Sequence, residues 1–210
     1  MTLQDRPASA GAQTQTGWAS PVVVLPILAF IVNAGVYYVG TMGLKVGYPI
    51  NLMGGFSLVL SVSPALESVI LALALWLWSG LSGGRAVVAA IVLYVVRLIF
   101  TFGWGFIMSK LLEILPLSLL TQSTSFYGPL FAQTAVTGAS VLLVLCFYEP
   151  AFRAWWPWIL TLLIWAAGTT ILFVLYHDQM IGRDIYAWLA HLVRALGFLV
   201  LGCYFRPVRR

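Results

Sequence analysis

Charged residues are scarce in this chain. Asp, Glu, Lys and Arg make up 8% of its 210 residues, and 61% of the residues are hydrophobic. Ordinary soluble domains carry about 25% charged residues. The low charge content, together with long apolar runs, excludes an ordinary soluble domain and predicts a polytopic membrane protein.

Histidine and cysteine are also scarce, with two of each. Cys146 and Cys203 form neither a CxxC nor a CxxCH motif, which excludes a zinc ribbon and a c-type haem site. The chain has no P-loop, His-rich cluster or paired-carboxylate site, so we expect no metal and no cofactor. The net charge of +5 is dispersed among helix ends, so we expect no nucleic-acid partner.

Six apolar runs come close to or exceed the roughly 20 residues that a membrane span needs. They lie at about residues 21–41, 64–81, 86–106, 129–148, 156–176 and 185–205. The pattern predicts an all-α, polytopic membrane helix bundle, with residues 18–210 as a single six-helix domain. Residues 1–17 are polar and lack the apolar core of a signal peptide, which predicts a disordered cytoplasmic tail.

Two further apolar segments are too short to span a membrane alone. Residues 52–63 could extend the second helix across a kink at Pro64, or form a re-entrant or interfacial segment. Residues 109–122 carry Lys110 and Glu113 three positions apart and are interrupted by Pro116. We interpret them as an amphipathic helix on the membrane surface.

The basic residues near the helix ends predict the orientation. With both termini in the cytoplasm, the inner side carries Arg6, Arg85, Arg153, Arg206, Arg209 and Arg210, and the outer side carries Lys45, Lys110 and Arg183. This asymmetry predicts a multi-pass protein of the cytoplasmic (inner) membrane with both termini inside. Both cysteines then lie near the reducing side, so we expect no disulfide.

Ionisable side chains also occur inside the predicted spans. Arg97 and Arg194 fall near the middle of the third and sixth helices, and Glu67 falls one turn into the second. His191 and Tyr94 each lie one turn from an arginine on the same helical face. A charge at the bilayer centre costs about 2.5–3.5 kcal/mol, so these groups should face the bundle interior and meet partners there.

The count of these charges predicts an anionic partner. One carboxylate cannot neutralise two guanidiniums, so a lipid phosphate, a transported anion or an acidic residue of another subunit should complete the site. We therefore predict a non-enzymatic transporter-like protein or membrane-complex subunit whose candidate ligand-binding residues are Arg97, Arg194, His191, Glu67 and Tyr94. A structural interpretation stays open, in which the arginines pair with Glu67, bond to helix-end carbonyls, Asn33 and Ser or Thr side chains, or reach the interface.

The third and sixth helices resemble each other weakly. Residues 84–98 and 182–196 both begin Gly-Arg and reach Val-Arg near mid-membrane. Two halves of three helices would have opposite topology, as in inverted-repeat transporters, whose sites lie near the midplane. In that interpretation Arg97 and Arg194 are equivalent residues that face a shared cavity.

The alternative function is intramembrane proteolysis. A Gly-Ala-Ser sequence ends at Ser140 on the fourth predicted helix, and an Ala-His sequence ends at His191 on the sixth. This arrangement is similar to the Gly-x-Ser-Gly and Ala-His motifs of rhomboid-type proteases, and it implies a Ser140–His191 dyad. The chain departs from that family at Val141, where a glycine is expected, and it lacks the His-x-x-x-Asn element of the family's second helix.

Overall fold

The computed structural model describes residues 20–39, 58–114 and 127–205, and no β-strand occurs within these ranges. Within these ranges the chain forms six long helices, as the apolar runs predict. They are α1 (Pro21–Tyr38), α2 (Leu58–Leu77), α3 (Gly83–Ile114), α4 (Gly128–Tyr148), α5 (Trp155–His177) and α6 (Arg183–Tyr204). A short 3₁₀ turn, Pro150–Arg153, precedes α5. The predicted tail over residues 1–17 lies outside the described ranges.

The helices fit a multi-pass membrane protein. Five of them are long and apolar enough to cross a membrane, and the apolar part of α2, Val62–Leu77, is shorter. Large apolar side chains such as Ile31, Ile99 and Phe147 point away from the protein. Their exposure suits a hydrocarbon environment and would be costly in water. The all-α membrane bundle of about six helices is therefore confirmed.

The six helices pack as a closed ring. Each helix contacts the next in the chain, and α6 returns to pack against α1 along much of its length. The interior holds a cluster of buried apolar side chains, among them Leu25, Leu71, Leu93, Leu142 and Phe198. Because α1, α2, α3 and α6 are neighbours in this ring, polar side chains from all four can meet near its centre.

Contacts at the two ends show that successive helices alternate in direction. At one end, the Ser79 hydroxyl donates to Glu149, and Phe152 packs against Phe205. At the other end, Tyr176 of α5 stacks on Tyr186 of α6. A Cβ atom at Gly202 would lie against the backbone of Pro21 and Val22, so the start of α1 and the end of α6 share one end of the bundle.

Helix α2 is longer than its spanning run predicts. It begins at Leu58 and runs through Pro64, so residues 58–63 extend the second helix rather than form a separate segment. The remaining residues of the 52–63 segment lie outside the described ranges. The Ser68 hydroxyl donates to the Pro64 carbonyl four residues earlier at 2.7 Å, so this hydroxyl is satisfied within its own helix.

Helix α3 corrects the predicted interfacial helix. Residues 109–114 continue α3 without a break, so the prediction of an independent surface helix beginning at Ser109 is wrong for these residues. No proline or glycine interrupts the chain there, and Lys110 pairs with Glu113 across one helical turn at 2.9 Å. At 32 residues α3 is about 48 Å long, more than the hydrocarbon core requires. Residues 115–122 of the predicted helix lie outside the described ranges.

A π-helical turn, Leu163–Ala167, interrupts α5. It carries Trp165, whose indole ring enters the bundle between Gly138 of α4 and Gly197 of α6. A Cβ atom at Gly197 would overlap this ring, so only glycine leaves space for it. The turn and the two glycines thus fix α5 against its neighbours close to the level of Arg194.

Candidate functional site

Glu67 lies at the centre of a buried ionic cluster. Because α2 begins at Leu58, Glu67 falls near the middle of its helix, which corrects its predicted position one turn from the start. Its side chain is 1% exposed, and no lipid or water can solvate the carboxylate there. Its charge must therefore be balanced by neighbouring helices.

Three helices supply the partners of Glu67. Arg97 of α3 donates from Nη1 to Oε2 at 2.6 Å. Arg194 of α6 donates from Nη2 to Oε2 at 2.7 Å and from Nε to Oε1, which makes a two-point guanidinium–carboxylate pair. Asn33 of α1 donates from Nδ2 to Oε1 at 2.7 Å and also bonds to the Ala29 carbonyl at 2.8 Å. We call these four side chains, Glu67, Arg97, Arg194 and Asn33, the ionic cluster.

The two arginines differ in their exposure. The side chain of Arg97 is 5% exposed, and its Nε–H is buried without an acceptor among the described residues. The side chain of Arg194 is 36% exposed, although it bonds to both oxygens of Glu67. With two guanidiniums and one carboxylate, the cluster carries one surplus positive charge, and Arg194 is its accessible side.

His191 lies beside the cluster among aromatic rings. Its imidazole contacts Tyr37, Phe30 and Trp188, with ring centroids 5.5, 6.4 and 6.4 Å away. Phe30 and Trp188 also stack on each other at 5.9 Å. We call Phe30, Tyr37 and Trp188 the aromatic box. The Nε2 atom of His191 is buried and finds no hydrogen-bond partner in the part of the chain that the structure describes.

Trp165 ties α5 to the backbone of α6 next to the cluster. Its indole N–H donates to the Arg194 carbonyl at 3.2 Å, and its ring packs against Phe198 with centroids 5.8 Å apart. This contact holds α6 in place at the residue that binds Glu67. Sequence reasoning missed Trp165, because a π-helical turn leaves no clear signal in the apolar pattern.

The predicted site residues are brought together only in part. Glu67, Arg97 and Arg194 meet directly, and His191 adjoins them. Tyr94 is half-buried on α3 and makes no hydrogen bond to the cluster among the described residues. The sequence suggests Asn33 only as a partner for an arginine, whereas it donates to Glu67. A lone asparagine in an apolar helix is the signal that could have placed it in the site.

Ser140 and His191 do not form a dyad. The Ser140 hydroxyl donates to the Thr137 carbonyl of its own helix at 2.6 Å. His191 lies in the aromatic box, on the α1 side of α6. No hydrogen bond joins the two side chains within the described ranges. The geometry therefore lacks the contact by which a histidine activates a serine.

Polar groups at the ends of the bundle are separate from the cluster. At the α5–α6 turn, a shallow cleft of about 480 Å³ is lined by Tyr176, His177, Gln179, Ile181, Gly182 and Arg183. Nearby, the Tyr127 hydroxyl lies 3.2 Å from Nδ1 of His177. Desolvation raises the pKa of Tyr127 above its ordinary value, and the negative charge of Asp178 adds to this effect.

The cysteines lie towards the opposite end and are both free thiols. Cys146 donates to the Phe152 carbonyl at 3.0 Å, and Cys203 is exposed. No group of three or more His, Cys, Asp or Glu residues capable of holding a metal ion occurs within residues 20–39, 58–114 and 127–205. The buried ionic cluster is therefore the strongest candidate for a functional site in the described residues.

Comparisons with family models, with curated proteins and with solved structures gave no match to this chain. The fold and the cluster define its class by themselves. It is a helical bundle that fits a multi-pass membrane protein, with two arginines and an asparagine converging on one buried glutamate.

Proposed function

We propose that this chain is a non-enzymatic, multi-pass protein of the inner membrane that binds an anionic group at Arg194. The observation that carries the proposal is the charge of the cluster. Arg97 and Arg194 share the single carboxylate of Glu67, and the side chain of Arg194 keeps 36% of its surface accessible.

The surplus charge is costly unless an anion is present. Glu67 neutralises one guanidinium, and Asn33 adds only a neutral amide. The remaining charge near the bilayer centre costs about 2.5–3.5 kcal/mol, even on the lenient scale of helix insertion. A second negative charge next to Arg194 would remove this cost without separating the existing pair.

The chemistry of the guanidinium favours an oxyanion. Its planar N–H groups match carboxylate, phosphate and sulfate oxygens with two parallel hydrogen bonds, a geometry that the bond to Glu67 already uses. A lipid headgroup, a soluble anion in transit and an acidic side chain of a partner subunit all offer such oxygens. We therefore assign the site to an oxyanion and leave its source to experiment.

The orientation is part of the same proposal. Both termini lie in the cytoplasm, because six basic residues near helix ends would then be inside and three outside. The alternation of the helices supports a common side for the start of α1 and the end of α6.

The binding of sulfate, with and without the anionic lipid phosphatidylglycerol, tests the proposal. Sulfate is titrated calorimetrically into the full chain in a neutral maltoside detergent. It is then titrated into the same protein in phosphatidylcholine nanodiscs with and without phosphatidylglycerol. R194Q removes the accessible charge, and R85Q removes an exposed arginine at the start of α3 as a matched control.

We expect the wild type and R85Q to bind sulfate, and R194Q to bind it at least about tenfold more weakly, since one charged contact is worth about 1.5–3 kcal/mol. If phosphatidylglycerol abolishes sulfate binding, the lipid headgroup is the resident anion. If it does not, the site serves a soluble anion, and sulfate uptake by proteoliposomes then tests transport. A wild type that binds neither probe, or an R194Q protein that binds like the wild type, overturns the proposal.

A further inference from the structure

His191 is a half-buried imidazole with one buried nitrogen, Nε2, that lacks a hydrogen-bond partner among the described residues. Three aromatic rings surround it. Buried polar atoms are normally paired, and an orphaned one calls for an explanation. An apolar ring would pack as well in this box and would leave no polar atom unsatisfied.

Among the described residues, the charged groups that act on His191 are Arg194 and Glu67 of the ionic cluster. Arg194 is one helical turn away on α6, and Glu67 approaches from α2. Arg97 of α3 pairs with Glu67, and Tyr37 of α1 is the titratable residue whose ring packs against the imidazole. Any change in the charge of the cluster therefore changes the electrostatic potential at the imidazole.

We infer that His191 is a proton-binding site coupled to the anion site, so that an oxyanion bound at Arg194 and a proton on His191 bind together. The inference rests on the proposed function. The proton comes from bulk water and adds to the imidazole, and no bond breaks in the protein. An imidazolium has two N–H donors, so the orphaned Nε2 becomes a donor at the moment when an acceptor anion arrives.

Charge balance explains why the two ligands help each other. Without an anion, a protonated His191 would raise the charge of the cluster from one to two positive units in a medium that solvates neither. With a monovalent anion bound, the same proton only returns the site to its original charge. Each ligand therefore strengthens the binding of the other by the same factor.

The aromatic box suits a residue that changes its charge. The faces of tryptophan, tyrosine and phenylalanine rings attract a cation within about 6 Å, yet they also pack well against a neutral imidazole. The centroid distances to His191, from 5.5 to 6.4 Å, lie around this limit. The box thus tolerates both protonation states without offering a fixed hydrogen-bond acceptor that would select one of them.

The direction of the pH dependence follows from this coupling. The protonated form of His191 binds the anion more tightly, and lower pH populates that form. Anion affinity should therefore rise as pH falls, and binding should take up protons from the buffer. A coupling of ordinary size gives at least about a fivefold difference in anion affinity between the fully protonated and the fully neutral forms of His191.

Sulfate binding to the full chain at pH 5.5 and pH 8 tests the inference, because the charge of sulfate is constant over this range. Calorimetry in two buffers of different ionisation enthalpy gives the number of protons taken up by the wild type itself. H191F keeps an aromatic ring in the box, and H191Q keeps a polar side chain. His177, the other histidine of the chain, is exposed at the end of α5, so H177Q is the matched control.

We expect the wild type and H177Q to bind sulfate more tightly at pH 5.5 than at pH 8 with uptake of protons, and both His191 variants to bind without pH dependence. Wild-type binding that is independent of pH and takes up no protons overturns the inference but leaves the anion site intact. So does pH dependence that survives in H191Q. An absence of sulfate and lipid binding at both pH values overturns the proposed function as well.

Discussion

Glu67 is the residue on which the cluster depends, because its carboxylate is the shared acceptor of three side chains. E67Q leaves two guanidiniums without a counter-charge, and we expect it to lower the free energy of unfolding by about 3–5 kcal/mol. R194Q leaves the Glu67–Arg97 pair and the Asn33 contact in place and removes the surplus charge, so we expect it to lower the free energy of unfolding far less than E67Q does. Unfolding of the purified variants by SDS in mixed micelles measures the difference.

The double variant provides the control. In E67Q/R194Q only Arg97 stays unpaired, so we expect this protein to be more stable than E67Q alone. The gain would show that the instability comes from surplus charge rather than from the change of shape at Glu67. Equal stability of E67Q and R194Q would contradict a cluster organised around one carboxylate.

Residue identities could be predicted from the sequence better than residue contacts. Arg97, Arg194 and Glu67 stood out because charges are rare in apolar runs, and their mutual approach followed from the cost of leaving them alone. The role of Asn33 could not be predicted, since an amide has several possible partners within the bundle. Tyr94 was predicted from its helical spacing from Arg97, but spacing alone does not show whether the Tyr94 side chain reaches the interior as Arg97 does.

At the scale of helices, apolar length predicted the spans but not their ends. Residues 58–63 and 109–114 each continue a neighbouring helix, because neither Pro64 nor the Lys110–Glu113 pair stops a helix that packing supports. The π-helical turn at Leu163–Ala167 depends on the fit of Trp165 between two other helices. Such a tertiary fit cannot be read from the sequence of α5 alone.

Close packing of α1 against α6 gives a prediction for Gly202. A Cβ atom there would lie 2.7 Å from the Pro21 carbonyl oxygen and 2.9 Å from the Val22 Cα, both backbone atoms of α1. G202A should therefore force the helices apart and destabilise the protein by about 1–3 kcal/mol. Thermal unfolding in detergent measures the loss.

Gly103 of α3 is the matched control for this substitution. It is a helical glycine, and a methyl group added to its Cα would have nothing within 4 Å, so G103A should be neutral or slightly stabilising. A G202A protein as stable as G103A would show that α1 and α6 are not in backbone contact. The glycine content of the sequence indicates that close approaches exist, but only the structure distinguishes these two positions.

The described part of the molecule is a ring of six helices whose directions alternate, and its orientation in the membrane can be tested. Gly83 and Gly182 lie at opposite ends of the bundle and have open space around a new side chain. In a C146S/C203S background, we expect an impermeant thiol reagent added to intact cells to label G182C and not G83C. The physical reason is the excess of basic residues at the end of the bundle that holds Gly83. Labelling of G83C from outside would reverse the proposed topology.

The central claim is that the cluster carries one surplus positive charge that binds an oxyanion. The most direct test is the stabilisation by millimolar sulfate of three proteins that differ in the charge of the cluster. The cluster carries two surplus positive charges in E67Q, one in the wild type and none in R194Q. We expect the rise in melting temperature with sulfate to follow this order and to fall in R194Q to the non-specific rise alone. Sulfate also stabilises proteins non-specifically, but that effect would be the same in all three. An equal rise in the wild type and R194Q would contradict the account.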